Sequence, residues 1–235
     1  MTPSEFAAQL ASESAWARAF EGLIGSLMLT SAERTLRTIL VTSAAPGEGK
    51  TTIATNLAMM LARAGRRILL VDADLRRPSV HKLLRCSGVS GFADLLQGRE
   101  DLAHLVQSMR IEPSRGGDAI ELSVMAGGRP SAGGMVGLQP GRLAKALEFL
   151  CAHYELVILD SPPVLAVSDA LLLAPHVDGV MFVIAAGLVR EREAQRAKQR
   201  LEANGGHLLG VVVNAIDDDE LHPYGRSYAT ELERT

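Results

Sequence analysis

A chain of 235 residues, 47% of them apolar, is long enough to bury a full core, and domain sizes of roughly 100–200 residues point to one α/β unit with short appendages. Its formal charge of −3 excludes a global basic field, so no nucleic-acid partner is expected. Cys86 and Cys151 lie far apart and form no CxxC pair, which excludes a disulfide or cysteine-metal framework and fits a reducing cytosol.

Along the N-terminus Glu5, Glu13, Arg18 and Glu21 interrupt any apolar run, so a signal peptide is not expected. The uncharged apolar stretches 22–32 and 179–189 span 11 residues each. A bilayer-crossing helix takes about 20, so no membrane span is expected and the chain reads as cytoplasmic. Phe6, Leu10, Phe20, Leu23, Ile24, Leu27 and Met28 recur at helical spacing over 4–29 and predict an amphipathic helix with a break near Gly22 and Gly25. This arm is assigned to 1–35. Trp16 and Phe20, one turn apart in it, are expected to pack together.

From residue 38 the pattern becomes short apolar runs, at 38–43, 68–71, 120–124, 156–159, 179–184 and 208–213. Helical segments interleave with them at about 50–64, 142–153, 168–174 and 190–204, with Gly65 and Gly205 as stops. Strands that are continuously apolar and alternate with helices predict an α/β fold, a parallel sheet flanked by helices on both faces. Its ligand belongs beyond the carboxyl ends of the strands. Two stretches, 110–118 and 127–141, are rich in Gly, Pro and Ser and predict surface loops. This domain is assigned to 36–216, and the acidic, polar 217–235 reads as a flexible tail.

Between the first strand and the next helix stands Ser43-Ala44-Ala45-Pro46-Gly47-Glu48-Gly49-Lys50-Thr51-Thr52. A glycine-rich turn in that position is a phosphate loop. The loop Pro46–Thr52 would surround the β-phosphate of ATP with the backbone N–H groups that every residue in it but Pro46 carries, Lys50 would follow the β and γ oxygens, and the Thr51 hydroxyl is placed to ligate Mg²⁺. Only four lysines stand against twenty arginines, so a lysine here is not background. Ala44 replaces the first glycine of the consensus GxxxxGK[ST], which requires that residue to keep negative φ.

Two further strands end in acids. The run at 68–71 delivers Asp72 and Asp74, and the run at 156–159 delivers Asp160. Asp160 is assigned to magnesium and Asp72 to magnesium or to general base, with Asp74 as a further catalytic candidate. Each acid alone has a plainer alternative, the capping of the next turn or helix.

With SAAPGEGKTT, ILLVDADLRRP and LVILDSPPVL in view, the sequence from about 36 to 214 resembles the bacterial tyrosine autokinases of capsule and exopolysaccharide systems. These sit within the larger group of ParA/MinD-like partition and division-site ATPases. The wider group carries a signature lysine where this chain has Ala45, and DLRRP and DSPPVL are similar to the kinase forms of the second and third motifs.

By this resemblance Lys50, Thr51, Asp72, Asp74 and Asp160 take the nucleotide, magnesium and catalytic places, and Asn214 the place that holds adenine. The resemblance also implies phosphoacceptor tyrosines in the tail, here Tyr224 and Tyr228. It implies homo-oligomers too, and a transmembrane polysaccharide co-polymerase as activating adaptor, so the chain would sit peripherally at the inner membrane face. The ExxRxxR assembly motif is altered, with Arg18, Glu21 and Ile24 at its three places. The alternative is a kinase-inactive ATP-binding switch acting on the same adaptor.

Overall fold

The computed structural model describes residues 15–33, 35–112, 119–129 and 138–216. Seven strands form one sheet: β1 (Thr38–Ser43), β2 (Ile68–Asp72), β3 (Gln107–Ile111), β4 (Ile120–Met125), β5 (Leu156–Asp160), β6 (Gly179–Ala185) and β7 (Leu208–Asn214). Their order is β3-β4-β2-β5-β1-β6-β7, parallel except where β3 meets β4. The buried central strands bear out the continuous apolar runs.

Because side chains alternate across a strand, each run feeds two cores. Leu40, Leu69, Val157 and Phe182 join one face, where α6 (Pro140–His153) contributes Leu143 and Leu150, and α8 (Glu191–Ala203) contributes Ala197 and Leu201. Ile39, Leu70, Ile158 and Val183 join the other, covered by α2 (Lys50–Arg63) through Ile53, Leu57 and Leu61. Gly65 closes α2 at φ +79° and Gly205 follows α8 at φ +82°, the left-handed stop that glycine adopts without a steric penalty.

The N-terminal helix α1 (Ala15–Glu33) runs unbroken through Gly22 and Gly25, where a break was expected. Each glycine costs such a helix only about 1 kcal/mol, and the buried Phe20 with Leu23, Ile24 and Leu27 fastens it to the α2-side core. The Trp16 and Phe20 rings pack at 4.5 Å.

Three short helices, α3 (Val80–Leu84), α4 (Phe92–Leu95) and α5 (Leu102–Leu105), and the strand β3 were not foreseen. Arg110 and Ile111, assigned to a loop, belong to β3, so the sheet is mixed at this edge rather than wholly parallel. The segment 127–141 also shortens as a loop, because α6 begins at Pro140, a residue favoured in the first turn of a helix. The helix expected at about 168–174 is the short α7 (Asp169–Leu173), which continues into a 3-10 turn at Ala174–His176. Among the described residues no helix is long and apolar enough to cross a membrane.

Candidate functional site

At the carboxyl ends of β1, β5 and β2 lie the three expected motifs, with Asp72 and Asp160 directly opposite each other in register. The phosphate loop leaves β1 and turns at Gly47 and Gly49, with φ of +87° and +89°, values that L side chains rarely adopt. Ala44 is not among the residues with positive φ, so alanine fits where the consensus asks for glycine. Among the described hydrogen bonds none is donated by the amides of Gly47, Glu48, Gly49, Lys50, Thr51 or Thr52. These donors are the first turn of α2 and the loop before it, an arrangement that suits an anion.

The Thr51 hydroxyl donates to Asp160 Oδ2 at 2.7 Å and stands 3.4 Å from the Ser79 hydroxyl. Asp160 is fully buried, and its Oδ1 has no hydrogen-bond partner. Burial pushes its carboxyl up to about 7, against the opposing pull of the Lys50 charge and the Thr51 hydrogen bond. An orphaned carboxylate oxygen beside a threonine hydroxyl is what a hard, oxygen-seeking cation completes. Thr51 and Asp160 therefore fit Mg²⁺.

Asp72 is employed differently. Its Oδ2 accepts from the amides of Ser79 and Val80 at 2.8 and 2.9 Å, and its Oδ1 accepts from the Asp74 amide at 3.2 Å. The carboxylate thus holds the start of α3 and the turn before it, which is the plainer alternative realised. Burial raises it to about 6, the Val80 and Ser79 amides oppose that, and the nearby Asp74 charge adds to it. Asp74 follows on the same loop, where its Oδ1 accepts from the Arg77 amide at 2.9 Å.

Two residues expected at the nucleotide, Glu48 and Asn214, have side chains that bond to the protein itself. The Glu48 carboxylate, wholly buried, accepts from the Ala45 amide at 2.6 Å and from the Ala185 amide at 3.3 Å. Asn214 Nδ2 donates to the Glu48 carbonyl at 3.0 Å, and a Cβ added at Gly49 would stand 2.1 Å from that nitrogen. Its amide group is engaged with the phosphate loop from beneath. Sequence reasoning also missed Arg76, which grips the fully buried Asp169 with two bonds of 2.8 and 3.1 Å and ties the second motif to α7. No spacing signal predicts that pair, whose members are 93 residues apart. Tyr224 and Tyr228, with the tail 217–235, lie outside the described residues.

A family model, the CobQ/CobB/MinD/ParA nucleotide binding domain, matches residues 39–234. Tyrosine-protein kinase YwqD of Bacillus subtilis is 33% identical over 201 residues, 85% of this chain and 81% of that protein. The chain belongs to this nucleotide-binding family, among its tyrosine-protein kinases. Similar solved structures agree. The kinase domain of Escherichia coli tyrosine kinase ETK matches with a TM-score of 0.76 at 32% identity, over 85% of this chain and 75% of that one. The chimerical protein CapA2B2 matches with a TM-score of 0.80 at 29% identity, over 90% and 91%. The resemblance carried by the three motifs thus holds for the family and the fold.

Proposed function

We propose that this protein is an ATP-dependent protein-tyrosine autokinase that phosphorylates Tyr224 and Tyr228 between copies and so regulates polymerisation and export of a surface polysaccharide. It would work at the inner face of the membrane as a homo-oligomer, through a separate transmembrane co-polymerase that activates it. The observation that carries the reading is the meeting of undonated loop amides with the Thr51–Asp160 hydrogen bond and the orphaned Asp160 Oδ1, in a chain whose relatives are named tyrosine-protein kinases.

In this reading the amides of Gly47–Thr52 cradle the β-phosphate and Lys50 neutralises charge on the β and γ oxygens. Thr51 and Asp160 would hold Mg²⁺, which would supply positive charge to offset that of the phosphates. Asp72 keeps the loop of the second motif in place with its three amide bonds. Asp72 Oδ1, with one amide partner, and Asp74 are the groups available to accept the tyrosine proton, and a carboxyl raised to about 6 is a better base near neutrality than an ordinary one. With little covalent work left to the protein, positioning and electrostatics supply the rate.

Intact-mass spectrometry after incubation with Mg·ATP and the adaptor's cytoplasmic segment tests this. The expected result is added phosphate on the wild type, absent from Lys50→Met and from the Tyr224→Phe/Tyr228→Phe double variant. Unchanged mass in a wild type that binds Mg·ADP would overturn the kinase reading in favour of a nucleotide-controlled switch.

A further inference from the structure

We infer that Glu48 is a positioning residue for nucleotide: its side chain holds the phosphate loop in its receptive shape by bracing it against the end of β6. The inference rests on the nucleotide site proposed above. Directly after the exposed Pro46 and Gly47, Glu48 dips to zero exposure. One carboxylate oxygen accepts from Ala45 in the loop at 2.6 Å, the other from Ala185 at the end of β6 at 3.3 Å. The carbonyl of the same residue accepts from Asn214 at the end of β7. Two strand ends, 137 and 166 positions downstream of the loop, therefore meet it on one residue.

The chemistry selects glutamate. Both partners of the side chain are N–H donors, so two acceptor oxygens are required. In glutamine one oxygen becomes an NH₂ that would face a donor in a buried place, and such a mismatch is expensive. Aspartate keeps the charge but is one methylene too short to span loop and sheet together.

Electrostatics alone would argue against an acid here, since a carboxylate beneath a phosphate cradle repels the ligand. That opposition makes the test sharp. If the side chain acted only through its charge, Glu48→Gln would bind nucleotide more tightly. If it acts by holding the loop, the same neutral variant binds more weakly.

Isothermal titration of Mg·ADP into full-length wild type, Glu48→Gln and Glu48→Asp separates these, because affinity is read on the folded fraction and misfolding appears as lost stoichiometry. The expected result is a Kd raised about tenfold in both variants, equivalent to ~1.4 kcal/mol, with stoichiometry kept near the wild-type value. A Glu48→Gln Kd equal to or below the wild-type value overturns the inference, even when its melting temperature falls, since Glu48 would then serve stability and not the site. A wild type that fails to bind Mg·ADP overturns the nucleotide-site reading itself, an outcome distinct from a loss confined to the variants.

Discussion

Two neighbouring strands end in a buried aspartate at the same level of the sheet, and the two carboxylates do different work. Asp72 on β2 spends both oxygens on backbone amides of its own loop. Asp160 on β5 accepts from one hydroxyl and leaves an oxygen without a partner. In each case burial is the largest influence and raises the carboxyl, so neither the motif nor the direction of the shift distinguishes them. What distinguishes them is the accounting of partners. A satisfied buried acid organises the chain, and an unsatisfied one waits for a ligand.

The largest expected effect falls on Asp160. Changing Asp160→Asn should lower phosphotransfer by about a hundredfold or more, the scale seen when one preorganised electrostatic contact is lost from a transition state. The nucleotide-free variant should also melt at higher temperature at pH 8, because a carboxylate no longer has to be buried. Activity close to wild type in a single-turnover assay would erase the contrast between the two acids. Next comes Asp72→Ala, which strands three amides and should cost about 2–4 kcal/mol of stability in urea unfolding. An unchanged midpoint would mean that the Asp72 bonds are decorative.

The smallest effect is a pH dependence, and its sign follows from both carboxyls lying above the ordinary value of 3.8, near 6 and 7. Over that interval the folded state retains protons that the unfolded chain has released. Stability of the nucleotide-free protein should therefore fall as pH rises from about 4 to about 7 and then level off. Thermal melts across this range on wild type and Asp160→Asn would sharpen the comparison, since the variant should lose most of the slope at the upper end. A wild-type curve that rises over the same interval would contradict the buried, unpaired state of Asp160.

The sheet was legible because its inner strands are unbroken apolar runs, and the phosphate loop because its glycines sit between a strand and a helix. β3 was not, because Gln107-Ser108-Met109-Arg110-Ile111 mixes polar and apolar residues at an edge half open to water. The short helices α3 to α5 have at most five residues each, too few to establish a helical period. At the site, the residue types could be read and their employment could not. The donors to Asp72 Oδ2 lie seven and eight residues downstream and face it only because the loop turns back. One of the two donors to the Glu48 carboxylate, Ala185, lies 137 residues away. Only tertiary placement reveals that the Glu48 and Asn214 side chains tie the loop to the ends of β6 and β7.

That placement has a bearing on the order in which the molecule is made. The phosphate loop occupies residues 43–52, early in synthesis, yet two of its supports are Ala185, ending β6, and Asn214, ending β7. A nascent chain that has not yet released β7 from the ribosome possesses the whole nucleotide motif and lacks the ties that shape it. Capture of nucleotide would then mark the docking of β7, keeping half-made copies silent until that strand is in place.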